Sequence, residues 1–112
     1  MKEILEKALL KKIERLEAFE ERMNIRLENI SIRITNHNWL NFFCEIHPVS
    51  GTKINEDTII ECVIYDKEGA IIKMKSHCLY EDDFFGFEVL EFTFTDNELA
   101  DKIGKIRIYP KK

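Results

Sequence analysis

The chain has no long hydrophobic run. No segment approaches the roughly 20 apolar residues that a membrane-spanning helix needs. Its first residues, MKEILEKALLKKIERLEAFEERM, interleave acids and bases throughout, so they lack the uninterrupted apolar region of a secretory leader. A cytoplasmic protein is expected. Glycine is scarce: Gly51, Gly69, Gly86 and Gly104 stand far apart and form no phosphate-cradling loop. The serines Ser31, Ser50 and Ser76 sit in no Gly-x-Ser-x-Gly elbow, which removes the usual signature of a nucleophilic hydrolase. The acidic turns contain no Asp-x-Asp-x-Asp-Gly calcium spacing. Three cysteines, an odd number without paired spacing, fit a reducing compartment rather than a disulfide framework. A basic excess is also missing. The net charge is −4 and the pI is near 5.4, which makes nucleic acid an unlikely general partner.

What the chain does contain is enough apolar material for one folded domain. Of 112 residues, 45% are hydrophobic and 34% charged, with eight Phe, three Tyr and one Trp. Disorder is excluded by that composition.

Two hydrophobic periods divide the sequence. Residues 1–28 read as an amphipathic helix whose regular part runs from 2 to about 24, with Asn24 as a plausible end. Leu9, Leu16, Met23 and Ile30 fall seven apart, with Ile13 and Leu27 between them. Glu6 and Glu20 interrupt the second row. Leu5, Leu10 and Phe19 widen the apolar stripe, which suits packing on a globular surface.

From residue 29 to 112 the period is two. Ile30, Ile32 and Ile34 alternate with polar residues. Leu40, Phe42, Cys44 and Ile46 alternate with Asn41, Phe43 and Glu45, and the same period holds for Ile60, Cys62 and Ile64, then Ile72, Met74 and Cys78, and finally Ile106 and Ile108. Turn signals separate these runs at Asn36-His37-Asn38, Pro48 to Asp57, Asp66 to Gly69 and Glu81 to Asp83. Asp96 reads as the N-cap of a short helix that Gly104 would stop. The pattern predicts a mainly β fold of about six strands, mostly antiparallel. An immunoglobulin- or fibronectin-like sandwich is the first choice and a partly open barrel the second. The N-terminal helix would pack on the sheet or on a partner chain.

The stretch ECVIYDKEGAIIKMKS resembles the central hairpin of small bacterial immunoglobulin-like domains of the FxLYD type. Val63-Ile64-Tyr65-Asp66 and Gly69 carry the likeness, which spans residues 48–109. It implies a sandwich used for binding or assembly, not catalysis, and the N-terminal helix lies outside it.

Five phenylalanines crowd residues 82–94, DDFFGFEVLEFTF. Leu90, Phe92 and Phe94 share one parity; Phe85, Phe87 and Val89 share the other. The switch between Val89 and Leu90 suggests a β-bulge or burial on both faces. Trp39, Phe43, Val63 and Tyr65, with Phe85 and Phe87, would then form an apolar outer face too large to leave bare. The helix face of Leu5, Leu9, Ile13, Leu16, Phe19 and Met23 is the expected cover.

Two further chemistries have candidate residues in the chain. Cys44, His47, His77 and Cys78 invite a zinc reading, but cysteines of inward parity and histidines of outward parity cannot converge on one ion. A small metal-dependent sensor or enzyme using His47, His77 and acidic loops is therefore a secondary reading. Lys102, Lys105, Arg107, Lys111 and Lys112 could make a nucleic-acid accessory strip, although an edge strand guarded by Lys and Pro110 explains them as well. The leading expectation is a non-enzymatic protein-interaction module. It would use no cofactor and no evident small-molecule substrate, and would dimerise through its helix.

Overall fold

The computed structural model describes residues 2–112. Its elements are α1 (Lys2–Leu10), β1 (Ile13–Arg15), α2 (Glu17–Arg22), β2 (Ile25–Ile34), β3 (Leu40–Pro48), β4 (Thr58–Asp66), β5 (Ile71–Leu79), β6 (Glu88–Phe94), α3 (Leu99–Lys102) and β7 (Ile103–Lys111). Two sheets face each other across one core. One has the order β1-β7-β4-β5 and the other β2-β3-β6. The hairpins β2-β3 and β4-β5 interlock, because β6 returns to β3 and β7 to β4. That is the Greek-key interleaving of immunoglobulin-like sandwiches. The alternating sides predicted for β3 and β4 fill the core: Leu40, Phe42, Cys44 and Ile46 meet Ile60, Cys62 and Ile64.

The expected continuous N-terminal helix is not formed. It is two short helices separated by a three-residue strand, β1, which brings the strand count to seven. β1 pairs parallel to β7, with Ile13 beside Ile106, Glu14 beside Arg107 and Arg15 beside Ile108. The reason is tertiary. A helix through residues 11–16 would leave the β7 edge bare, whereas β1 covers it and lets Lys12 O accept the Ile106 N–H at 3.1 Å. Residue 28 is likewise no boundary, since β2 runs through it from Ile25.

The helices do not lie on a sheet face. They plug the open side of the sandwich between the β2 edge of one sheet and β7 of the other. Leu9 and Met23 enter the shared core, and Leu5 and Ile13 pack partly against it. The acids that interrupt the apolar row close this side. Glu20, only 3% exposed, accepts the Leu27 N–H at 3.1 Å and two hydrogen bonds from Arg15, at 2.6 and 3.1 Å. Glu6 accepts the Ile34 N–H at 2.6 Å. Both amides belong to the outer edge of β2 and have no strand to bond to.

Two further expectations change on β5 and at Gly104. Met74 and Cys78 point outward, not into the core. A register shift at Ile64/Tyr65 puts Lys73, Lys75 and His77 opposite the core residues Ile64, Cys62 and Ile60. Gly104 stops no helix. It lies in β7, where an added Cβ would strike the backbone of Asp66 and Lys67. Gly104→Ala should therefore destabilise by about 2 kcal/mol, read from the urea midpoint.

Glu20→Ala removes a buried carboxylate and strands a backbone amide. It should cost about 3 kcal/mol in urea unfolding. Glu6→Ala, at a more open site, should cost about 1 kcal/mol.

Candidate interaction surfaces

The aromatic residues assigned to one outer face divide between two. Val63 and Tyr65 lie on the outside of the four-stranded sheet, whereas Phe43 lies on the outside of the three-stranded sheet. Phe85 and Phe87 sit in the loop entering β6, and Trp39 precedes β3 beside His37, with ring centroids 5.6 Å apart. The separation follows from topology, because β3 and β4 belong to opposite sheets.

On the four-stranded sheet the outer face covers itself along β4 and β7, while Ile71 and Met74 of β5 stay exposed. Val63 is buried, and Tyr65 lies under Lys105 and Arg107, whose cationic groups are 5.0 and 5.4 Å from its ring centre. Glu61 is also buried there. It accepts the Tyr109 O–H at 2.9 Å and pairs with Lys111 at 3.2 Å. Burial first, then the Glu61 hydrogen bond, pushes the Tyr109 hydroxyl pKa up. Composition and spacing gave no hint of this buried acid, because its strand parity points to solvent.

The three-stranded sheet is different. Phe85, Phe87 and Val89 are 74%, 51% and 62% exposed with both helices in place. The helices therefore do not cover these residues. The parity switch that suggested a bulge arises because β6 starts only at Glu88, after a loop turned by Gly86 at φ +81°. Within β6 the alternation is regular, with Leu90, Phe92 and Phe94 buried. The loop is anchored at two points. Phe84 is fully buried, and the Gly86 N–H donates to Thr52 O at 2.8 Å. Phe87 stacks on His47 at 5.2 Å with the rings nearly parallel, and His47 Nε2 is 2.8 Å from Glu45 Oε1. The His47 hydrogen bond, then one from Asn29, holds the Glu45 carboxyl below the usual carboxylate range.

The helix face is largely consumed. Leu9 and Met23 are buried, Leu5, Ile13 and Leu16 are half-buried, and Phe19 packs edge-on against Tyr109. The seven-residue row is interrupted by β1, so no long helical seam exists for a second chain to pair with.

The structure also separates the proposed metal ligands. His47 is on the three-stranded sheet and His77 on β5 of the other. Several turn carboxylates bond to backbone instead: Asp66 accepts from Glu68 and Ala70, Asp57 from Glu81, and Asp96 from Glu98. The basic C-terminal strip is mostly neutralised in place. Lys102 pairs with Glu98, Arg107 with Glu14, Lys111 with Glu61 and Lys112 with Glu56.

The cysteines do not all share one parity. Cys44 and Cys62 are buried, and Cys78 is exposed. Burial pushes the Cys44 thiol up to about 12 and raises that of Cys62 as well. Native thiol titration should thus find one fast group, abolished by Cys78→Ser, and two that react only after unfolding.

No family model matches the chain, and no curated protein matches it. Among solved structures it is similar to a DUF1425 family member from Shewanella sp. pv-4. The match has a TM-score of 0.53 at 12% identity and covers 80% of this chain and 79% of that one. That protein belongs to a domain family of unknown function, so the likeness concerns the β-rich fold alone. The FxLYD resemblance reduces to the same coarse statement, a β-sandwich. Among the described residues no helix is long and apolar enough to cross a membrane.

Proposed function

We propose that this chain is a protein-interaction module without catalytic activity of its own, docking a partner on the exposed aromatic rim of its three-stranded sheet. The observation that carries the reading is the exposure of Phe85, Phe87 and Val89 on a loop and strand that are otherwise held rigid. A soluble domain rarely leaves neighbouring large apolar side chains bare without a use for them. Here Phe84, Gly86 and His47 fix their position, so a partner would meet a pre-formed surface at little ordering cost. The grooves elsewhere offer less. One of about 450 Å³ between α1 and β2 is lined by Glu3, Glu6, Lys7 and Arg33 among others, and lacks the apolar enclosure of a small-molecule site.

A photoactivatable phenylalanine analogue at position 87, introduced in cells of the native host, should yield one discrete covalent adduct after irradiation. Phe85→Ser should reduce its yield. The same analogue at Ile71, exposed on the other sheet, should yield no such adduct. Equal, heterogeneous labelling from both positions would contradict the reading.

A further inference from the structure

We infer that the partner contributes one extended segment, added as a fourth strand on the free edge of β6, and that this segment alternates acidic with apolar residues. The inference rests on the interaction reading above and specifies its mode and chemistry.

The two sheets are unequal. One has four strands and the other three; on the side away from the helices the three-stranded sheet ends in β6 and the four-stranded sheet in β5. The β5 side chains Lys73, Lys75 and His77 are paired in register with the core residues Ile64, Cys62 and Ile60, so they point to the inner side of the sheet. All three are nevertheless exposed, so the opposite sheet does not bury them. The Lys75 ammonium is 5.6 Å from the ring centre of Phe94 on β6, which places β5 beside the outer edge of β6. A strand pairing with the free edge of β6 would therefore lie against these β5 side chains.

The edge is able to receive it. On β2 the inward-facing residues Leu27 and Ile34 turn their amides away from β3, toward Glu20 and Glu6. The outward-facing residues of β2 and β3 therefore bond to each other, and the inward-facing residues of β3 bond to β6. That leaves the amides of Val89, Glu91 and Thr93 on the free edge. α1 and α2 lie on the β2 side and do not shield these amides. β6, EVLEFTF, contains neither lysine nor proline to block pairing.

The chemistry of the added strand follows from its two faces. Its inward side chains would meet Lys73, Lys75 and His77, which calls for carboxylates. Its outward side chains would lie beside Val89, Glu91 and Thr93, with Phe87 next to Val89, and the Val89–Phe87 end calls for apolar residues. Main-chain bonds supply the attachment and the two faces supply selectivity. A second copy of this chain does not fit. The inward side of its β6 carries Leu90, Phe92 and Phe94, and β5 would offer lysines to lysines.

The probe is a synthetic peptide of alternating glutamate and valine, about ten residues long, titrated into the isotope-labelled full chain. Saturable binding is expected, with amide shifts concentrated at Val89, Glu91 and Thr93. Lys73→Glu combined with Lys75→Glu, both at exposed positions, should weaken binding by about tenfold and favour a lysine–valine peptide instead. Glu91→Pro, which removes an edge amide, should abolish binding while circular dichroism confirms the fold. Binding that shifts Phe85 and Phe87 but not the β6 amides would overturn strand addition and leave the docking face intact. No binding, or equal binding of a scrambled peptide, would also overturn it. So would a dimer in sedimentation that Glu91→Pro dissociates, which would assign the edge to a second copy. The cross-linking from position 87 is read independently of all these outcomes.

Discussion

The carboxylate of Glu20 ties three parts of the molecule together. It binds Arg15 through two hydrogen bonds, fixing the turn between β1 and α2, and it accepts the Leu27 N–H on the edge of β2. Without it β2 would present an unpaired edge to the inside of a two-helix plug. Taking a carboxylate out of water is costly, and the cost is offset only when its lone pairs are satisfied. Here they are, by a guanidinium and by backbone. The helices are therefore not a coat for the sandwich. They are the means by which one open side of it is closed.

Closure on that side gives the molecule its asymmetry. On the β2 side, Glu6 and Glu20 replace a missing strand, Leu9 and Met23 complete the core, and β1 covers β7. On the β5/β6 side nothing comparable happens. β5 projects exposed lysines, β6 ends its sheet without a lysine or proline, and the preceding loop holds two phenylalanines in the open. A fold that satisfies one edge with carboxylates and leaves the other without them has a direction, and Phe85, Phe87 and Val89 lie on the second side.

Much of this was legible in the sequence, and the failures have identifiable causes. Leu40 to Ile46 alternate cleanly because β3 is central, with a partner on each side and one face on the core; in β4, also central, Ile60, Cys62 and Ile64 face the core while Glu61 and Val63 are buried on the other face. The N-terminal segment misleads because Leu9, Ile13, Leu16 and Met23 satisfy a helical seam as well as they satisfy helix–strand–helix. Local propensity cannot see that β7 needs a parallel neighbour. The warning was already there in Glu6 and Glu20, two acids in an apolar row, but their use requires knowing where the β2 amides point. β5 misleads for a related reason: its parity is set by a register shift and by the lack of an opposing strand, neither of which leaves a local trace. The bare aromatics were recognisable as a cluster. Their division between two sheets was not, because parity along one strand says nothing about which sheet that strand joins.

Native-state hydrogen exchange tests the asymmetry of the two sides most directly. The amides of Leu27 and Ile34 should exchange as slowly as the ladder amides of the central strand β3, because carboxylates hold them. Those of Val89, Glu91 and Thr93 should exchange rapidly in the isolated chain. Leu27 exchanging as fast as Val89 would contradict the account, since the helices would then not close the β2 edge and the two sides of the sandwich would be alike.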